Sequence, residues 1–159
     1  MKLKTLGVLN AVLVLTVLAS QAANAAIVSH QHKPNLPNGA SVCVTAKELA
    51  PNGAPRIGST FVRFNCIGSI ARSYWEFEGN KIKNPRGNTC LAAVNGKAIV
   101  KRCRGSNVNF NKIPAGSWYK IKSLSNGKCL KAKNDELGTD FIFGPCSEKS
   151  DSLLFRTKQ

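Results

Sequence analysis

The sequence predicts an all-β domain built from three similar units, each closed by its own disulfide. Three observations predict this class. Short apolar runs are separated by Asn-Gly turns such as Asn95-Gly96, a pattern repeats about every 40 residues, and the six cysteines fall two to a unit. No segment carries the sustained 3.6-residue period of an amphipathic helix, so we expect helix only as a short turn within a loop.

The first 25 residues have the features of a secretory signal peptide. Lys2 and Lys4 give a basic start, an apolar run follows over residues 6–19, and Ala23-Asn24-Ala25 matches an Ala-x-Ala cleavage pattern. We expect cleavage after Ala25, and the apolar run is too short for a membrane span. The mature protein is therefore expected in the periplasm or outside the cell, and no transmembrane segment is predicted.

The remaining chain is long enough for one domain. Residues 26–35 are predicted to be a flexible N-terminal segment, and residues 36–159 to form the folded domain. The full chain carries 23 Lys and Arg against 8 Asp and Glu, a net charge of +15, and loss of Lys2 and Lys4 lowers it to +13. Such a charge attracts polyanions, including sulfated or sialylated glycans, through interactions that salt weakens.

The repeat is clearest in the second and third units. Ile82 and Ile121 each lie eight residues before a cysteine, Cys90 or Cys129, and a leucine follows each cysteine. A second short run then ends in a second cysteine, and an aromatic or apolar cluster follows. In the first unit that cluster contains Trp75 and Phe77, which we expect in the core rather than on a binding surface.

The six cysteines are expected to pair within units. Each unit has one cysteine on each arm of its central hairpin, so the nearest partner belongs to the same unit. A zinc site is the alternative, but it needs closely spaced ligand pairs, and the sequence has no Cys-x-x-Cys. No metal or other cofactor is predicted. Of the 15 pairings that six cysteines permit, the repeat selects Cys43–Cys66, Cys90–Cys103 and Cys129–Cys146.

Units of this kind, with a hairpin disulfide and a closing aromatic, resemble the ricin-type β-trefoil lectin domain. Trp75-Glu76-Phe77 is similar to the Gln-x-Trp-x-Phe closing motif of that family. The resemblance covers about residues 36–157 and implies a β-trefoil. Within the family, residues 110–122 are similar to a stretch of the A and C subunits of bacterial cytolethal distending toxin. This second resemblance implies a cell-binding subunit that helps to deliver a separate nuclease subunit.

The residues that form the galactose site of the lectin family are replaced in this sequence. The family's Asp, two residues after the first cysteine of a unit, is Thr45, Ala92 or Lys131 here. The Gln two residues before the closing Trp is Ser73 in the first unit and Val108 in the second, and Leu153 or Phe155 replaces the Trp in the third. Any sugar site is therefore not the standard one.

Two groups of residues are candidate ligand-binding sites. Between its cysteines the third unit has polar residues that can pair with sugar hydroxyls, and the alternative is an ordinary solvated loop. Trp118 and Tyr119 follow a predicted loop over residues 114–117. Adjacent side chains on a strand point to opposite faces, so either one aromatic is exposed to a sugar or partner, or both are half-buried packing. The candidates are Asn134, Asp135, Asp140, Trp118 and Tyr119.

These features predict a secreted protein that binds carbohydrate or the host cell surface, as the recognition or accessory subunit of a bacterial toxin. The alternative is an adaptor or inhibitor that binds polyanions or proteins without a sugar pocket. A stand-alone enzyme is not predicted, because the sequence has no nucleophile elbow, Walker loop or zincin motif. His30 and His32 precede the first unit. No recognition helix or single-strand platform indicates a dedicated nucleic-acid reader.

Overall fold

The computed structural model describes residues 26–29, 41–66 and 70–158, and in this part of the chain it is an all-β protein. Twelve strands fall into three units of four. The first unit contains β1 (Ala26–Ser29), β2 (Val42–Ala46), β3 (Phe61–Asn65) and β4 (Glu76–Glu78). The second contains β5 (Lys81–Asn84), β6 (Thr89–Val94), β7 (Lys97–Arg102) and β8 (Phe110–Ala115). The third contains β9 (Trp118–Ser123), β10 (Cys129–Ala132), β11 (Phe141–Gly144) and β12 (Phe155–Lys158).

The first and last strands of each unit form a closed six-stranded barrel. Between units, β1 pairs with β12, β4 with β5 and β8 with β9, all antiparallel. Within each unit, one bridge joins the first strand to the last strand or to a residue just before it, and the three bridges share one register relative to the repeat. They are Ala26 to Tyr74, Lys81 to Asn109 and Tyr119 to Phe155.

The two middle strands of each unit form a hairpin, and the three hairpins cap one end of the barrel. They meet through three equivalent bridges, Thr60 to Ile99, Lys97 to Ile142 and Val62 to Asp140. The turn of the second hairpin is Asn95-Gly96, with φ values of 48° and 75°, as the two-residue Asn-Gly signal predicts. A threefold arrangement of barrel hairpins and capping hairpins is a β-trefoil, so the predicted fold is confirmed.

All three predicted disulfides are present, and each joins the two arms of one capping hairpin. The Cα atoms of the pairs are 5.2, 5.0 and 4.9 Å apart, and the described part of the chain has no free cysteine. Each bridge closes a short loop and is expected to add about 2–4 kcal/mol to the free energy of unfolding. The pairs are Cys43–Cys66, Cys90–Cys103 and Cys129–Cys146.

The barrel core repeats with the units. The first strand of each unit contributes an isoleucine, an aromatic residue lies in the last strand or directly before it, and all six are buried. The bridge register places Phe155, not Leu153, at the position of the closing aromatic, and Leu153 occupies the position two residues earlier. A single helical turn precedes each closing aromatic, at Ile70–Ser73, Ser106–Val108 and Asp151–Leu153. The six core residues are Ile27, Ile82, Ile121, Trp75, Phe110 and Phe155.

Two predictions about chain segments need correction. Residues 26–35 are not entirely a flexible segment, because Ala26–Ser29 forms β1, which pairs with β12 and β2 and buries Ile27. Residues 114–117 are not all loop, because Pro114 and Ala115 belong to β8 and pair with Tyr119 and Trp118. The predicted signal peptide, the histidines His30 and His32, and the rest of the predicted segment lie outside the described residues.

Candidate functional site

In the first two units, the positions that form the galactose site of the lectin family are occupied by buried pairs. The hydroxyls of Thr45 and Ser73 are 3.2 Å apart and within hydrogen-bond distance. Ala92 and Val108 belong to one buried apolar cluster. Because all four side chains are buried, neither pair can contact a sugar. The prediction that these units lack the standard residue set therefore has a structural basis.

In the third unit an ion pair occupies the corresponding position. Lys131 Nζ donates to both carboxylate oxygens of Glu148, at 2.8 and 2.6 Å. Lys120 Nζ donates to the backbone oxygens of Cys146 and Glu148, at 2.6 and 3.3 Å. The two lysines therefore hold the segment after the third hairpin against the unit. Lys131 therefore places a cation at the position where the lectin family has its Asp carboxylate.

The predicted third-unit residues face the first unit. Arg63 Nη1 donates to the backbone oxygen of Asn134 at 3.1 Å and to Asp135 Oδ1 at 3.0 Å. Asp140 Oδ1 accepts a hydrogen bond of 3.2 Å from Thr60 Oγ1. The structure thus brings Asn134, Asp135 and Asp140 to one junction between hairpins, where they bind β3 and the residue before it. Their role toward a ligand stays a prediction.

Arg63 was not recognised from the sequence as a partner of this loop. Its side chain is 1% exposed, whereas that of Asp135 is 45% exposed. Backbone bonds reinforce the contact, since Arg63 N donates to Thr139 O and Gly138 N donates to Arg63 O. The residues three positions before the second cysteine of each unit are Arg63, Val100 and Phe143. A cation at a position that is apolar in the other two units was the signal in the sequence that Arg63 has a special partner.

Trp118 and Tyr119 lie beside the tight turn of the β8–β9 hairpin, on a different hairpin from the acidic candidates. Both are half-buried and point to opposite faces of the strand. The guanidinium of Arg156 lies 4.8 Å from the centre of the Trp118 ring. Tyr119 packs edge-on against Phe77, with ring centres 6.1 Å apart. Of the two interpretations, half-buried packing describes Tyr119, while Trp118 has a cation on its face.

A cation also covers the inner aromatic pair. Lys112 Nζ lies 4.4 Å from the ring centre of Phe77 and 4.9 Å from that of Tyr119. The Tyr119 hydroxyl is 3.0 Å from Thr157 Oγ1, and burial raises the pKa of the phenol while this hydrogen bond lowers it. A cavity of about 280 Å³ adjoins the cluster. It is lined by Phe77, Gly79, Asn80, Phe110, Asn111 and Lys112.

A larger cavity, of about 500 Å³, lies in the second unit and is strongly basic. We call it the basic cleft. Its basic residues come from two segments that are distant in sequence, β5 and the end of β7, and the fold brings both to one cavity. One carboxylate, that of Glu78, reaches the cleft and pairs with Lys83 at 2.7 Å. The lining residues are Ile57, Glu78, Lys81, Lys83, Gly87, Asn88, Arg102, Cys103 and Arg104.

The floor of the basic cleft depends on a glycine. Gly87 has φ of 107°, and a Cβ atom there would lie 2.9 Å from Ala54 Cβ. Only glycine tolerates both this conformation and this close approach of the first unit. Next to it, Asn88 has φ of 50°, which asparagine adopts more readily than most residues. The β5–β6 turn is therefore fixed in shape.

Among the described residues, no group of three or more His, Cys, Asp or Glu is placed to hold a metal ion. Within the same residues, no helix is long and apolar enough to span a membrane. The arrangement offers cations, aromatic faces and hydrogen-bond donors, which are groups that can bind a sugar or an anion.

A sequence model of the cytolethal distending toxin A/C domain matches residues 70–157, which is more than half of the chain. The chain belongs to this family. The match begins at the helical turn before β4 and includes all of the second unit and the third unit up to Thr157. The basic cleft and the Trp118–Tyr119 hairpin therefore lie, apart from Ile57, within the cytolethal distending toxin A/C domain. No curated protein sequence matches the chain.

Solved structures share the fold at low sequence identity. The cytolethal distending toxin of Actinobacillus actinomycetemcomitans matches with a TM-score of 0.64 and 20% identity over 86% of this chain and 91% of that one. The designed threefold-symmetric protein ThreeFoil matches with a TM-score of 0.67 and 16% identity over 86% of this chain and 99% of that one. The C-half of an earthworm R-type lectin in complex with GalNAc matches with a TM-score of 0.61 and 13% identity over 86% of this chain and 98% of that one. These likenesses agree with the β-trefoil architecture of this A/C domain.

Proposed function

We propose that this protein is a secreted carbohydrate-binding recognition subunit of a toxin of the cytolethal distending type, and that it is not an enzyme. Membership of the A/C domain family is the observation that carries the proposal. Three disulfides support a location in the periplasm or outside the cell, where such bonds form and persist. Its partners would be a host cell-surface glycan and a separate nuclease subunit.

The mode of binding follows from what the standard positions contain. Buried pairs in two units and a lysine ion pair in the third remove the lectin family's galactose set. Binding would therefore use other surfaces, and the Trp118 ring with Arg156 beside it is one of them. An aromatic face stacks on the CH groups of a sugar while a neighbouring cation or amide pairs with its polar groups.

A glycan array with the pure mature protein tests the carbohydrate proposal. We expect binding to defined glycans that persists when salt is raised to about 0.5 M, because contacts at a shaped site are screened less than surface charge. Trp118→Ala should reduce the signal. Phe64→Ala is the matched control, because Phe64 is a 44% exposed aromatic on the first-unit capping hairpin.

The adaptor alternative is favoured by one observation, the excess of basic residues on the surface. It predicts binding to every acidic polymer, with complete loss at about 0.5 M salt and no effect of Trp118→Ala. The toxin assignment is tested separately. A gene for a DNase-I-like nuclease beside this one, and co-purification of its product with this protein, would support it, and failure of the two proteins to associate would count against it.

A further inference from the structure

We propose that the basic cleft binds the acidic group of a carbohydrate, a carboxylate or sulfate carried on a sugar ring. This inference rests on the proposed function and assigns its ligand class and its place on the protein. The cleft is separate from the lectin family's positions in the second unit, because Ala92 and Val108 are buried in an apolar cluster.

The cleft has an excess of positive charge, which favours an anionic ligand. Four cations line it, and Glu78 neutralises only Lys83. Within the described part of the chain, Lys81, Arg102 and Arg104 form no ion pair and no side-chain hydrogen bond. Glu76, opposite Lys83 in the β4–β5 register, is the other carboxylate on this hairpin. Even with both glutamates counted, cations outnumber carboxylates by four to two.

The backbone positions that carry the cations are fixed before any ligand arrives. Alternation along β5 puts Lys81 and Lys83 on the outer face, opposite the buried Ile82. Lys83 pairs in register with Cys90, whose disulfide to Cys103 brings the end of β7 alongside. A fixed backbone lowers the entropy cost of ordering the cleft around a ligand, which favours a defined site over diffuse attraction.

The two arginines flank the cystine. Arg104 N donates to Arg102 O at 2.7 Å, so the backbone turns tightly around Cys103. Both side chains belong to the lining of the cleft. A guanidinium offers a planar fork of donors that matches a carboxylate or sulfate with two parallel hydrogen bonds. Such contacts give the cleft a preference for these groups over a neutral hydroxyl.

The size and one wall of the cleft point to a sugar rather than a bare ion. Its volume of about 500 Å³ lies in the range of small-molecule sites, roughly 300–1,000 Å³. Ile57 from the first unit lines it and is 53% exposed, which offers an apolar contact for the CH face of a ring. A carbohydrate that carries an acidic substituent fits both properties.

The test is a binding titration with the intact mature protein and fluorescently labelled oligosaccharides. The probes are 3′-sialyllactose, a heparin-derived tetrasaccharide and neutral lactose. A single-stranded DNA oligonucleotide with the same charge as the heparin tetrasaccharide is included for comparison. The variant Arg102→Glu/Arg104→Glu should weaken binding of an acidic probe by about tenfold or more at physiological salt, because two charge-assisted contacts become repulsive. Sialyllactose carries a carboxylate alone, whereas the heparin tetrasaccharide carries both carboxylates and sulfates, so binding of the second probe alone would indicate a requirement for sulfate.

The matched control is Lys128→Glu/Lys133→Glu, which changes the net charge by the same amount at exposed positions of the third unit. We expect it to weaken binding less than about threefold, by the general field alone. Equal loss in both variants, no loss in the cleft variant, or DNA binding as tight as the saccharides would overturn the proposal. Glycan binding with no preference for the acidic probes over lactose would overturn only the cleft assignment, whereas absence of all glycan binding would also overturn the proposed function. Near-ultraviolet and far-ultraviolet circular dichroism confirm that each variant is folded.

Discussion

At the scale of single residues, Arg63 is a buried cation where the other two units bury Val100 and Phe143. Its guanidinium is neutralised by Asp135 from the third unit and also binds the backbone of Asn134. A buried charge without its partner costs far more than the intact pair contributes. The pair therefore ties the first capping hairpin to the loop of the third.

Asp135→Ala is expected to lower the free energy of unfolding by about 1–3 kcal/mol, because it removes a hydrogen bond to a charged group. In an Arg63→Met background the same change should cost less than about 0.5 kcal/mol, since no buried charge remains to be paired. Denaturant unfolding of the four proteins in this double-mutant cycle measures both values. Equal effects of Asp135→Ala in the two backgrounds would contradict the pairing.

Tyr119 provides a prediction about alkaline pH. Burial raises the pKa of its phenol in the folded protein above that in the unfolded chain. The folded state therefore holds this proton more tightly, and the resulting stabilisation is fully present below about pH 10 and is lost above it, as the unfolded state deprotonates. The stability difference between the wild type and Tyr119→Phe should be constant from pH 7 to about 9 and then fall. Urea unfolding at several pH values checks this, and a difference that grows with pH would contradict it.

At the scale of elements, the capping hairpins were predictable and β1 was not. Hairpins join segments close in sequence, each carried two cysteines, and the first two also carried an Asn-Gly turn signal. β1 is only four residues long, and most of its pairing is with β12 at the far end of the chain. Its Ile27 also precedes Cys43 by 16 residues, whereas the equivalent spacing in the other units is eight, so the repeat did not reveal it.

The candidate sites show the same limit. The sequence identified Trp118, Tyr119 and the third-unit polar residues, because each group lies within one short segment. It could not assign Arg63 to Asp135, or Lys81 to Arg104, because these neighbours come from different hairpins. Only the register of the barrel and cap brings them together.

The disulfide of the second unit is expected to contribute to binding as well as to stability. Cys90→Ser/Cys103→Ser should lower the free energy of unfolding by about 2–4 kcal/mol and also weaken acidic saccharide binding, because the arginines lose their fixed position. The control is removal of the Cys129–Cys146 bridge, which closes a loop of similar length. The paired cysteines are 17 residues apart in this bridge and 13 residues apart in Cys90–Cys103. Comparable loss of binding in both variants would show that the second bridge has no special role.

At the scale of the whole molecule, closure of the barrel depends on the short N-terminal strand. Ile27 is 1% exposed and packs in the main core. Ile27→Ala should cost about 2–5 kcal/mol of unfolding free energy, as for other large-to-small core changes. Ile57→Ala, at a 53% exposed position, should change it by less than about 0.5 kcal/mol. Thermal unfolding compares the two, and a tolerant Ile27 would mean that β1 is dispensable.

The Arg63–Asp135 contact has a consequence for how such a protein can be rearranged. Each lobe resembles the next, so a chain of identical lobes could close in any order. Here the first lobe carries the cation Arg63 and the third lobe carries its carboxylate partner Asp135, while the second lobe carries neither. A circular permutant that keeps the cyclic sequence of lobes preserves this match. A shuffled version that exchanges two capping hairpins would place the arginine against Gly96 and Lys97 of the second hairpin, where no carboxylate pairs with it, so the pseudo-symmetric scaffold favours one lobe order.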